Sequence, residues 1–201
     1  MEVKIMKRWD TFQLVFLAFC AALNVGVGAI VGIVKLPIYL DSIGTFIAAA
    51  LGGWLYGSIV GVLAVVIAAV AITPTAPAYA GTAIVIALCV SILVRYKFLK
   101  SLPITIVGGL IVGIFTAIVS APVTTFLYGG VSLAGADAVT AFFKAMGNTL
   151  LESVILGGLA TDPIDKLATS LIAFAVLKTL PKRLFNRFLN GKFFLSGQGK
   201  V

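Results

Sequence analysis

Residues 41–95 read DSIGTFIAAALGGWLYGSIVGVLAVVIAAVAITPTAPAYAGTAIVIALCVSILVR, and the 53 positions between Asp41 and Arg95 hold no Asp, Glu, Lys or Arg. A second uncharged run, of 36 residues, extends from Ser101 to Ala136. Charged residues make up 11% of the chain and its mean hydropathy is +1.16. A soluble domain carries roughly 25% charged residues. A water-soluble fold of 201 residues has no way to hide such runs, so the chain reads as an all-α, polytopic membrane protein. At roughly 150 residues per domain, the length predicts a single integral membrane domain over 1–201.

Working outward from that stretch, a bilayer span needs about 20 apolar residues, fewer if it packs inside a bundle. The pattern predicts spans over 11–31, 42–52, 54–72, 79–94, 102–127 and 163–180. Gly52-Gly53 marks a tight turn between the second and third, and the two prolines of Thr73-Pro74-Thr75-Ala76-Pro77 break the helix that follows. The second span is short, so it is expected to be covered by protein or only partly inserted. Before the last span, residues 137–159 predict an amphipathic helix: Asp137, Lys144 and Asn148 share one face, and Phe142, Phe143 and Met146 another. Thr161-Asp162-Pro163 reads as a helix start, with Asp162 as the cap and proline at the first helical position. The expected fold is a six-transmembrane-helix bundle with an additional polar-faced outer helix.

Charge placement orients the bundle. With the N-terminus inside and six crossings, the inner side receives Lys4, Lys7, Arg8, Arg95, Lys97, Lys100, Lys178, Lys182, Arg183, Arg187, Lys192 and Lys200, twelve of the fifteen basic residues. The outer side receives Lys35, Lys144 and Lys166 with Asp41, Asp137, Glu152, Asp162 and Asp165. Glu2 and Asp10 are the inner acids. This asymmetry follows the positive-inside rule and predicts both termini in the cytoplasm. Leu17-Ala18-Phe19-Cys20 faintly resembles a lipoprotein cleavage box, but Phe19 is too bulky for its position, so the first helix is expected to be retained. The basic tail over 181–201 interleaves Phe185, Phe188, Phe193 and Phe194. Its place beside the last span suits anionic inner-leaflet lipid better than nucleic acid.

Composition excludes several chemistries. The chain has no histidine, hence no His-based triad and no His-ligated metal. Cys20 and Cys89 each lie in an apolar run and read as small hydrophobes. No G-x-x-x-x-G-K-[ST] occurs, so this chain does not bind ATP through a P-loop. No catalytic, metal or cofactor site is expected within it.

Polar groups in or beside a membrane are expensive, and each is a candidate functional residue. Here they gather toward the outer side. Asn24, Tyr39, Asp41, Tyr79, Thr125, Tyr128, Asn148, Glu152, Asp165 and Lys166 are the candidate ligand contacts, with Thr73, Thr75, Thr124 and Asp162 nearby. Aromatics, hydroxyls, amides and a few charges beside apolar helices suit a small-molecule pocket. Several also have a structural alternative: Tyr39 and Tyr128 as interfacial belt residues, Asp41 as a cap of the second helix, and Asp165 and Lys166 paired to each other or to Glu152.

Small residues recur at every fourth position in Ala18-x-x-x-Ala22-x-x-x-Gly26, Gly53-x-x-x-Gly57-x-x-x-Gly61 and Gly109-x-x-x-Gly113. Such stripes let helix backbones approach closely in lipid. They serve internal packing, or, if one stays exposed, docking of another membrane protein.

Taken together, these features resemble the substrate-binding S component of an energy-coupling factor (ECF) transporter, across nearly the whole chain. Ala18-x-x-x-Ala22 is similar to that family's AxxxA motif for its coupling subunit, and Gly26 extends it. Leu36-Pro37-Ile38-Tyr39-Leu40-Asp41-Ser42-Ile43-Gly44-Thr45 resembles the sequence before the second helix in one branch. Ser120-Ala121-Pro122, Tyr128-Gly129-Gly130, Asp162-Pro163-Ile164-Asp165-Lys166 and Leu180-Pro181 resemble that branch in the same order. The resemblance implies a multi-pass protein of a bacterial-type cell membrane that captures a vitamin or related micronutrient outside. It implies delivery inward with a transmembrane coupling (T) subunit through Ala18, Ala22 and Gly26, and with two cytoplasmic ATPase subunits that use the ATP. The loop over 32–41 would gate the pocket. Cobalamin or a queuosine precursor is the favoured cargo. The long outer segment between Tyr128 and Asp162 departs from the pattern and is expected to enlarge or cap the pocket. A six-span sensor module, a stand-alone carrier and a purely structural membrane protein are the alternatives. No inverted repeat of the kind expected of many secondary carriers is present.

Overall fold

The computed structural model describes residues 10–72, 74–132 and 134–195, which are helical with no β-strand among them. Lys4, Lys7, Arg8, Glu2, Thr73 and Lys200 lie outside the described residues. Helix α1 spans Thr11–Val34 and begins at a capping box, Asp10 with Gln13. It is followed by α2 (Ile43–Gly52), α3 (Trp54–Ala71), a 3-10 turn over Ala76–Tyr79, and α4 (Ala80–Val94). Helix α5 (Leu102–Pro122) continues into a π turn, Val123–Leu127. Then come α6 (Asp137–Ala145), α7 (Leu150–Thr179) and two short helices, α8 (Lys182–Phe185) and α9 (Gly191–Leu195).

Among the described residues, four helical segments are long and apolar enough to cross a membrane: Thr11–Val34, Trp54–Ala71, Ala76–Val94 and Leu102–Leu127. Helix α2 has only ten residues, and every one of them is buried, so the short second segment is covered by protein. Gly53 makes the turn out of it with φ of +90°, a conformation costly for any side chain. Helix α7 is long, but Asp162, Asp165 and Lys166 sit near its middle.

The region around α7 corrects the sequence reading. The amphipathic helix expected over 137–159 and the span expected from 163 are divided differently. The chain turns at Gly147, with φ of +93°, and α7 then runs unbroken through Pro163. Its start is a reciprocal capping box in which Thr149 and Glu152 satisfy each other's backbone N–H groups. Asp162 is therefore no N-cap; it lies in the helix interior, 3% exposed. Pro163 is tolerated there beside the close approach of α5, where a Cβ on Gly113 would lie 2.3 Å from Pro163 Cα.

The small-residue stripes explain how the helices meet. A Cβ on Gly57 would strike Ala49 and Ala87, and one on Gly61 would strike Ala83, so α3 packs tightly on α2 and α4. Gly109 and Gly113 admit α7 against α5 in the same way. The stripe on α1 behaves differently. Ala18, Ala22 and Gly26 are exposed, and nothing lies within 4 Å of a Cβ built on Gly26. The buried face of α1 is Leu17, Cys20, Ala21, Asn24 and Val31.

Hydrogen bonds identify two ends of the bundle. At one, Gln13 donates to the Arg187 carbonyl, Asn190 N–H to Leu51 O, and Lys100 Nζ to Phe193 O. Phe188, 6% exposed, packs against Phe12, Phe16 and Tyr56. The phenylalanines of the basic tail thus close this end, while Lys182, Arg183, Arg187 and Lys192 stay exposed. At the opposite end gather the 35–42 loop, the turn over 74–79 and the segment from Tyr128 to Thr149, joined by the contacts described next.

Candidate functional site

A cavity of about 730 Å³ opens at this second end, lined by α1, the 35–42 loop, α2, α3, α4, α5 and α7. Its volume falls in the range of small-molecule sites, roughly 300–1,000 Å³. Apolar residues such as Val25, Ala29, Ile38, Ala64, Ala68 and Ile72 form most of the wall. The polar lining comes from α1 and α2 (Asn24, Ser42, Thr45), from α5 (Thr116, Ser120, Thr124) and from Asp162 and Lys166 of α7.

The charged floor is built from adjacent residues of α7. Lys166, 2% exposed, donates to Asp165 Oδ2 and, at 2.9 Å, to Ser42 Oγ, and stands 3.7 Å from Asp41 Oδ1. Asp165 is fully buried, and its other oxygen accepts the backbone N–H groups of Tyr39 (2.9 Å) and Leu40 (2.7 Å). One carboxylate therefore neutralises the lysine and latches the loop that borders the cavity. Leu40 holds a left-handed φ of 48°, and Lys35 one of 54° at the end of α1; non-glycine residues adopt this conformation only when neighbours fix it. Desolvation, reinforced by the carboxylates of Asp162, Asp165 and Asp41, pushes the Tyr39 phenol well above its ordinary pKa. It stays a neutral hydroxyl.

On the other side of the opening, the Tyr79 hydroxyl bonds Thr124 Oγ1 at 2.9 Å, and its ring stacks on Tyr128 with centroids 6.1 Å apart. Tyr128 donates to the Thr75 carbonyl. The π turn after Pro122 carries Thr124 to this position; such turns are often found at functional sites. Ser132, Ala134 and Gly135 also line the cavity, and Gly135 abuts the Leu36 carbonyl so closely that a Cβ would lie 2.1 Å away. The chain after Tyr128 thus packs against the 35–42 loop at the opening.

Of the residues singled out from sequence, Asn24, Tyr39, Asp41, Tyr79 and Lys166 line the cavity. Asn24 is also fully engaged within the fold, donating to Thr45 Oγ1 and accepting from Gly44 N–H. Asp165 lies behind the lining as the latch, and Tyr128 braces Tyr79. Thr125 is buried, without a hydrogen-bond partner among the described residues, and lies outside the lining. Asn148 bonds the Phe143 carbonyl at the end of α6, and Glu152 caps α7, so neither reaches the cavity. Glu152 therefore makes no pair with Lys166, and Asp41 makes no cap on α2. Ser42, Thr45, Thr82, Thr116 and Ser120 join the lining without having been chosen as contacts. Ser120 sits in the quoted Ser120-Ala121-Pro122, but the threonines resemble ordinary intramembrane residues that bond their own helix, as Thr116 does to Val112 O.

Comparison with protein-family models, curated proteins and solved structures finds no match for this chain.

Proposed function

We propose that the chain is the substrate-binding subunit of an ECF-type importer, capturing a vitamin or related micronutrient at the outer end of the bundle. The observation that carries this reading is the cavity of about 730 Å³ bordered by a loop latched to Asp165. In this reading α2 and residues 163–180 of α7 complete six crossings, both termini are cytoplasmic, and the cavity faces outward. Residues 150–162 of α7 and helix α6 stand at the outer surface. The exposed stripe Ala18, Ala22 and Gly26 is the docking face for a transmembrane coupling subunit, which joins two ATPase subunits that supply the energy. The chain itself performs no chemistry. Cobalamin or a queuosine precursor is the favoured cargo, drawn from the sequence resemblance.

The test is mass spectrometry of small molecules released from the purified full chain. A compound bound at close to one per chain supports the reading, and a chain that purifies empty and binds no micronutrient contradicts it. Genes for ATPases beside that of this chain favour import; a neighbouring kinase gene favours sensing.

A further inference from the structure

The ionic inventory of the cavity narrows the cargo. Lys166 is spent on Asp165, Ser42 and Asp41, and Asp165 on Lys166 and two backbone N–H groups. Asp162 also lines the cavity, 3% exposed, with its carboxylate beside Ser120. Among the described residues, no ammonium or guanidinium comes within 4.0 Å of it. Two carboxylates, Asp41 and Asp162, thus face the cavity with one lysine already held between acids. Thr82 belongs to the same lining, is 7% exposed, and its hydroxyl has no hydrogen-bond partner among the described residues. Burial pushes the Asp162 carboxyl up to about 7 even with Lys166 nearby, and a positive charge placed against it recovers the cost of ionising it. An anion entering the same space finds no free cation among the lining residues and two like charges.

We infer that the cavity takes a small molecule carrying a positively charged nitrogen, which pairs with Asp162 while the apolar wall covers the rest of the ligand. The inference rests on the substrate-binding reading above and narrows its ligand class, setting aside cobalamin, whose peripheral nitrogens are neutral amides. Asp41 at the opening, its side chain 54% exposed, adds to the attraction for cations on entry.

Thermal unfolding of the detergent-solubilised full chain is measured against tryptamine, tryptophol and indole-3-acetate. These share an indole ring and carry a positive, no and a negative charge at neutral pH. Tryptamine is expected to stabilise the wild type most and to bind at least ~10-fold more tightly than indole-3-acetate. Asp162→Asn should remove the preference at little cost in shape. Mass spectrometry of molecules released from the wild type gives a second reading that needs no variant, with a cationic compound expected. A preference for indole-3-acetate, equal binding of all three, a preference untouched by Asp162→Asn, or a released compound without positive charge overturns the inference and leaves the binding-subunit reading standing. A wild type that releases nothing and binds none of the three overturns both.

Discussion

Asp165 and Lys166 are neighbours in sequence, yet they do different work. Asp165 turns away from the cavity to hold Tyr39 and Leu40, while Lys166 reaches into the lining. Removing one member of a buried ion pair leaves the other uncompensated, at about 3–5 kcal/mol. Asp165→Asn is therefore expected to lower the thermal midpoint of the protein in detergent and to speed amide exchange at Tyr39 and Leu40. Unchanged exchange there would mean that the loop is held by something else. The polar residues of the loop and of α7 were legible in the sequence because a charge in an apolar chain must be accounted for. Asn148 and Glu152 attracted notice for the same reason, yet they terminate helices. Residue type does not separate a capping carboxylate from a ligand-facing one; only the position of the helix start does.

At the scale of elements, the boundaries of α1 to α5 were readable within a few residues, since uncharged runs punctuated by Gly52-Gly53, by prolines and by basic clusters leave few choices. Helix α7 was not. Proline is favoured at a first helical turn, so Pro163 looked like a beginning, whereas the Thr149–Glu152 box begins the helix thirteen residues earlier, at Leu150. Gly113 on the facing helix, which makes room for the proline, lies far away in sequence. The three small-residue stripes looked equivalent and differ only once packed. Substitutions should therefore separate them. Gly57→Trp, which collides with Ala49 and Ala87, should prevent accumulation of folded protein. Ala22→Trp, on the exposed face, should leave the thermal midpoint and ligand binding by the isolated chain intact while abolishing assembly with a coupling subunit and uptake. Loss of ligand affinity in Ala22→Trp would assign the stripe to the pocket or to the core.

For the whole molecule, the sequence made the membrane class and the two differently charged ends plain. It did not disclose which polar groups share one cavity, because that depends on six helices and a loop converging. The orientation is directly testable. In a background of Cys20→Ala and Cys89→Ala, a cysteine replacing Lys144 should react with a membrane-impermeant maleimide in intact cells. A cysteine replacing Arg187 should react only after permeabilisation; the reverse pattern would invert the bundle and place the cavity inside. The central claim, that this cavity is where cargo binds, is tested most directly by native mass spectrometry of the purified full chain beside Ala68→Trp, which fills the apolar wall. The wild type should carry one small molecule per chain, and Ala68→Trp, folded to a similar thermal midpoint, should carry none. Equal occupancy of the two proteins, or a wild type without any bound molecule, would contradict the account.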